Sequence, residues 1–255
     1  EGPRVATIPG EPTLLMYDGY AGKLLEVDHG GENVTWEELE QIDPPTVASF
    51  GPAFIADAKR NRLITACGSV DTGEAHCDVM SYDLATHRWE RPIIEADDGE
   101  RPAGRYSFAF GLDEETERLI IFGGATRIPT DGRTLAPAHD AWALELATDP
   151  MRWVKLSDPD HSPLGRRNAC HAIDPIGHRM FVWGGGSTHY PNIEDDLWAL
   201  DLDRGHETWT KVDLTVAPPA RSACTGTADP ARRRILFGFG NTVADSYIDL
   251  QALNL

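Results

Sequence analysis

A short apolar run that stops on glycine constrains this chain more than any other feature, because it returns five times in 255 residues. It reads ERLIIFGG at 117–124, HRMFVWGG at 178–185, NRLITACG at 61–68, RRILFGFG at 233–240 and TLLMYDG at 13–19. Gly19, Gly68, Gly124, Gly185 and Gly240 hold one place in it, and Arg62, Arg118, Arg179 and Arg234 open four of the runs. A polar loop and a second run follow each glycine, most clearly DLWALDL at 196–202, and Trp36, Trp89, Trp153 and Trp209 then mark a third. Runs this short, bounded by Gly and Pro, read as strands, since helices need longer periodic stretches. Recurrence at about 50–60 residues marks a repeat architecture, in which each copy is a small sheet buried against its neighbours.

Each full copy accommodates four antiparallel strands, a to d from the inside outward. The copies fall at 1–42, 45–94, 102–156, 163–214 and 218–255, within one domain of 1–255. In the first, the strands are expected near 5–8, 14–17, 23–27 and Trp36. The fifth reaches Leu255 inside strand c and shows no closing Trp. The residues before Ile8 complete that sheet, or it keeps three strands, or the chain is part of something longer. Asp57, Asp113, Asp174 and Asp229 open the turns between strands a and b, where Asp accepts backbone N–H bonds. They are read as structural, as are Asp28, Asp83, Glu145 and Asp201 at the ends of the c strands. The four Trp are expected to open the d strands and cover the apolar faces between copies.

The glycine pair, the DLWALDL run and the spaced Trp resemble the kelch family of β-propellers, over nearly the whole chain. The resemblance implies an all-β propeller ring, to which the repeat count gives five blades, the last incomplete within this chain. It is nearly silent on function, because kelch propellers serve both as binding domains and as enzymes.

The formal charge of −18 argues against nucleic-acid binding, which needs clustered Lys and Arg. No apolar stretch is long enough to span a bilayer. The sequence opens at Glu1, so a secreted or periplasmic setting with an upstream signal removed stays open. None of Cys67, Cys77, Cys170 and Cys224 makes a Cys-x-x-Cys pair, so no zinc site is expected. Cys67 and Cys77 flank one hairpin and either bond, if the chain is secreted, or remain two half-buried thiols, the preferred reading. Cys170 and Cys224 fall in neighbouring inner strands and are read as small core residues.

The linkers before strand a and the loops after the glycines share one face. Those loops, 69–76, 125–139, 186–195 and 241–248, are the long ones, and long loops on a rigid scaffold carry binding residues. Arg105, Arg166 and Arg221 start successive inner strands on that face, with Arg167 and Arg127 beside them; Ser49 breaks the series in the second copy. Clustered guanidinium groups bind carboxylates and phosphates, although an Arg repeated in register also caps backbone carbonyls or pairs with a blade Asp. The loops add His76, His139, His189, Tyr190, Asn192, Glu194 and Asn241.

The iron motif of nitrile-specifier-type kelch enzymes, Glu-x-x-x-Asp-x-x-x-His, is met by Glu74 and Asp78 but broken by Tyr82. The Tyr, His and Cys set of galactose oxidase is not assembled here, and no nucleophile elbow or phosphate loop appears. The sequence therefore points to a binding module for an anionic ligand (an acidic peptide, a protein or a sugar acid). The expected contacts are Arg105, Arg166, Arg167, Arg221, Arg127, His189, Tyr190 and Asn241, without a cofactor. The other reading is a lyase or sugar-acid epimerase on the same scaffold, with a metal as an option.

Overall fold

The computed structural model describes residues 3–46, 49–70, 72–96, 99–127, 135–157, 162–187 and 192–255, apart from the side chains of Arg127, Leu135 and Ser157. Among the described residues there is no α-helix; Ala58–Arg60 and Pro230–Arg232 are single 3-10 turns. The chain is all-β, with five blade sheets of the propeller type in two compact units.

The first unit, Glu1–Ile94 with Ala103–Tyr106, holds two antiparallel sheets. One runs in the order β1 (Arg4–Thr7), β2 (Thr13–Asp18), β3 (Lys23–Asp28), β4 (Thr35–Glu38). The other runs β5 (Ala53–Asp57), β6 (Arg62–Ser69), β7 (Ala75–Asp83), β8 (Arg88–Glu90). Arg4 stands opposite Tyr17, so the N-terminal strand is strand a of the first copy rather than the missing strand of the last.

The second unit comprises Glu95–Pro102 and Ser107–Leu255. In its first sheet β9 (Ile94–Ala96) lies outside a four-strand blade of β10 (Ala109–Asp113), β11 (Arg118–Phe122), β14 (Ala141–Glu145) and β15 (Met151–Ser157). The hairpin of β12 (Ala125–Arg127) and β13 (Leu135–Pro137) sits in the long loop of that copy. The next sheet is β16 (Cys170–Asp174), β17 (Arg179–Trp183), β18 (Leu197–Asp201), β19 (Trp209–Val212). The last, β20 (Thr225–Asp229), β21 (Arg234–Gly238) and β22 (Leu250–Asn254), has three strands among the described residues.

The repeated letters have repeated physical jobs. Each a–b turn Asp pairs with the Arg that opens strand b. The contacts are Arg62 Nε to Asp57 at 2.9 Å, Arg118 Nη2 to Asp113 at 3.5 Å, Arg179 Nη2 to Asp174 at 3.7 Å and Arg234 Nε to Asp229 at 2.9 Å. The turn is thus held by an ion pair as well as by backbone bonds to the carboxylate. The glycines latch neighbouring sheets. The N–H of Gly68 donates to the Arg105 carbonyl at 2.8 Å, that of Gly124 to Arg166 at 2.9 Å, and that of Gly185 to Arg221 at 2.9 Å. Gly184 shows why side chains are excluded there: its φ is +66° and an added Cβ would lie 2.4 Å from the Arg221 carbonyl oxygen.

Cores form between consecutive sheets. In the first unit Tyr17, Phe54, Leu63, Tyr82 and Trp89 pack together. In the second, Ile120, Phe122, Met180, Val182 and Leu200 make one cluster and Phe181, Trp183, Leu197, Ile235 and Phe237 another. Trp89 and Trp153 are buried, and Trp209 packs its ring 4.7 Å from Phe122 of the preceding sheet. Trp36 departs from the expectation: it is 75% exposed, on a strand whose four residues all face solvent. Trp89, by contrast, is covered by Tyr17 of the sheet before it. The cysteines are also corrected. Cys67 pairs with Cys77, and Cys170 pairs with Cys224 to tie β16 to the residue just before β20. Their Cα atoms stand 5.0 Å apart, the separation a disulfide requires.

Candidate functional site

The inner-strand arginines belong to the framework. Arg105, Arg166 and Arg221 are at most 1% exposed. Arg166 donates from Nε to the Leu164 carbonyl at 3.0 Å, and from Nη1 to the Gly184 carbonyl at 3.2 Å and Asp196 at 2.7 Å. Its Nη2 is buried without a hydrogen-bond partner. Arg221 repeats the pattern with the carbonyls of Pro219 and Phe239 and with Asp249. Its guanidinium also lies 4.1 Å from the Tyr247 ring centre and 5.1 Å from that of Trp183. Arg105 donates from Nε to the Ala103 carbonyl at 3.0 Å. The charges are matched locally. Hydrogen bonds from Arg221 and then Gln251 hold the Asp249 pKa at about 2. At Asp196 burial works to raise the pKa, and the bonds from Arg166 and Trp198 outweigh it and bring it below the usual carboxylate range. An anionic ligand would have to displace Asp196 or Asp249 to reach Arg166 or Arg221.

Arg167 is half-buried and its backbone bridges to Gly186; Asn241 is exposed and bridges to Ser222. The Arg127 backbone forms part of β12, while its side chain, His189 and Tyr190 lie outside the described residues. His139 and Asn192 are exposed, and Glu194 is half-buried. Among the described residues no group of three or more His, Cys, Asp or Glu is arranged to hold a metal.

The second copy, where Ser49 replaces Arg, opens instead into a cleft of about 310 Å³. Its walls include Tyr17, Pro44, Pro45, Val70, Met80 and Thr65, with Ser49, His76, Asp78 and Arg91 as the polar groups. The volume is at the lower end of ligand pockets, roughly 300–1,000 Å³. Ser49 Oγ donates to the Cys67 carbonyl at 3.1 Å and meets His76 Nε2 at 2.9 Å. His76 Nδ1 accepts the Asp78 backbone N–H at 3.3 Å. An Nδ1 that accepts leaves the proton on Nε2, so His76 donates to Ser49. Burial, the largest influence on it, lowers the His76 pKa from its ordinary value. A serine whose proton is committed to a carbonyl, facing an imidazole that already carries its own on Nε2, is not an activated nucleophile. The pair forms a hydrogen-bonding side of the cleft. Asp78 and Arg91 form an ion pair at 3.3 Å on its rim, with side chains 55% and 68% exposed.

Sequence reasoning named His76 and noticed Ser49 as an irregularity, but it did not find the cleft. The signal was present in the register. Ser49 stands eight residues before Asp57, as Arg105, Arg166 and Arg221 stand before Asp113, Asp174 and Asp229.

Comparison with known proteins agrees with this architecture. The chain is 28% identical over 189 residues to the host cell factor homolog hcf-1 of Caenorhabditis elegans, covering 69% of this chain and 23% of that protein. It is 24% identical over 223 residues to the Rab9 effector protein with kelch motifs of Bos taurus, covering 84% and 54%. It thus spans between about a quarter and about half of these relatives. The solved structure of YjhT superposes with a TM-score of 0.69 at 14% identity, over 94% of this chain and 72% of that one, which is a likeness of fold. The model of the KLHDC2/KLHL20/DRC7 kelch-repeats domain matches residues 53–255, and the chain belongs to the kelch-repeat family.

Proposed function

We propose that this chain is a protein-binding module that takes a short segment of its partner into the cleft of the first unit. The observation that carries this is the cleft itself, a hollow lined by Pro, Met, Val and Tyr side chains together with the polar groups of Ser49, His76, Asp78 and Arg91. Apolar walls supply contact area and a few placed polar groups supply orientation, the usual make-up of a recognition site. One relative bears the name Rab9 effector protein with kelch motifs, a name that ties it to another protein. Selecting a random peptide library on the intact chain tests the reading. Selected peptides should bind at least about tenfold more weakly to Val70→Trp, which fills the cleft, with an unchanged melting curve. Equal binding by that variant would remove the cleft from the function.

A further inference from the structure

We propose that the cleft of the first unit is a receptor for a guanidinium group, an arginine side chain presented by the partner; this rests on the binding-module reading above. The protein's own repeats share one strand register. In the fifth copy the contacts of the inner-strand Arg221 include the carbonyl of Phe239, the carboxylate of Asp249 and the face of Trp183 in the preceding sheet, beside the Pro219 carbonyl and the Tyr247 ring. In the fourth copy Arg166 has the carbonyl of Gly184 and the carboxylate of Asp196.

The register of the sheets identifies the same positions in the second copy. Arg234 opens β21 opposite Asn254, Arg179 opens β17 opposite Asp201, and Arg62 opens β6 opposite Asp83. Five residues after each Arg stand Phe239, Gly184 and Cys67; five before each partner stand Asp249, Asp196 and Asp78. In the preceding sheets, Trp183 is four residues beyond Arg179, and Tyr17 is four beyond Thr13, which pairs with Asp28 as Arg179 pairs with Asp201. The carbonyl, the carboxylate and the aromatic platform are thus all present in the second copy, and Cys67, Asp78 and Tyr17 all line the cleft. Only the guanidinium is missing, because Ser49 occupies its place.

Ser49 satisfies one part of what the Arg would have done, donating to the Cys67 carbonyl at 3.1 Å. Asp78 is left to pair with Arg91 at 3.3 Å, in an arrangement where both side chains are more than half exposed. Exposed pairs of this kind contribute little and are readily exchanged. An incoming arginine therefore finds a carboxylate open to a paired-donor contact and a hydroxyl and a carbonyl as acceptors, beside the largely buried ring of Tyr17. Lys would match less well, because its ammonium lacks the planar fork that serves carboxylate and ring together.

The test is calorimetric titration of the intact chain with acetyl-Gly-Arg-Gly-amide and with the same peptide carrying citrulline, which keeps the shape and loses the charge. The Arg peptide should bind at least about tenfold more tightly, and Asp78→Asn should erase the difference. Ser49→Arg, which restores the repeat's own side chain, should abolish binding and raise the melting temperature. If that variant fails to fold, Asp78→Asn, a change at an exposed side chain, decides alone. Equal affinity for the Arg and citrulline peptides overturns the proposal, as does undiminished binding by a folded Ser49→Arg. Library peptides that need the cleft but carry no arginine overturn it while leaving the binding module standing. Failure of every peptide overturns both.

Discussion

Trp153 and Trp36 hold one repeat position with opposite surroundings, 1% against 75% exposed. Trp153→Ala should cost about 3–5 kcal/mol, as for other large core truncations. Trp36→Ala should stay within about 0.5 kcal/mol, since a change at an exposed site removes little packing. Paired denaturation curves check both, and equal losses would contradict the burial. His178 gives a pH-dependent case. Its Nδ1 meets Asp203 at 2.8 Å and its Nε2 meets Asp113 at 2.9 Å. Burial alone would lower its pKa, and the hydrogen bonds to Asp203 and Asp113 outweigh it and raise the value above 6.5. The folded state therefore binds this proton more tightly than the unfolded chain. The stabilisation is fully present below 6.5 and is lost as pH rises through the raised value. Melting temperatures of the parent and His178→Asn should converge as pH rises through that range; a gap independent of pH would sink the assignment.

At the scale of the strand and its turn, the sequence was nearly sufficient. The first strands expected at 5–8, 14–17 and 23–27 are observed as β1 Arg4–Thr7, β2 Thr13–Asp18 and β3 Lys23–Asp28. These are legible because glycine, proline and alternation act locally. What joins distant elements was not legible. Cys170 and Cys224 lie 54 residues apart, and apolar surroundings suit a thiol as well as a disulfide, so composition alone could not pair them. Likewise Asp57 and Arg62 were each seen as recurrent, yet their contact depends on a turn that brings both side chains to one side. The cleft joins Tyr17, Ser49 and Asp78 from three separate strands or linkers, and a missing Arg in one line of text does not show the space left behind. Gly184→Ala tests the latch between elements. Left-handed backbone costs a non-glycine residue about 1–2 kcal/mol, and contact with the Arg221 carbonyl oxygen adds to that. Thermal melting should fall accordingly; an unchanged midpoint would mean the latch is not under steric control.

Across the whole molecule, stability depends on non-local links between copies. The Cys170–Cys224 bond closes a separation of 54 residues, for which chain-entropy estimates give about 4 kcal/mol. Replacing both by Ala should lower stability by about 2–4 kcal/mol in denaturant titrations under oxidising conditions. Reductant should lower the parent by more than the double variant, which has only the Cys67–Cys77 bond left to lose. The glycine–arginine latch carries a further consequence. Within the second unit, Arg166 and Arg221 each bring a carbonyl for the copy before, and Gly124 and Gly185 bring the N–H that meets it. A copy duplicated or excised between a glycine and the next arginine would carry both halves of its connection. Lineages built this way can lengthen or shorten by whole copies without inventing a new interface, while single substitutions such as the serine at position 49 alter one copy and leave the joints between copies as they were.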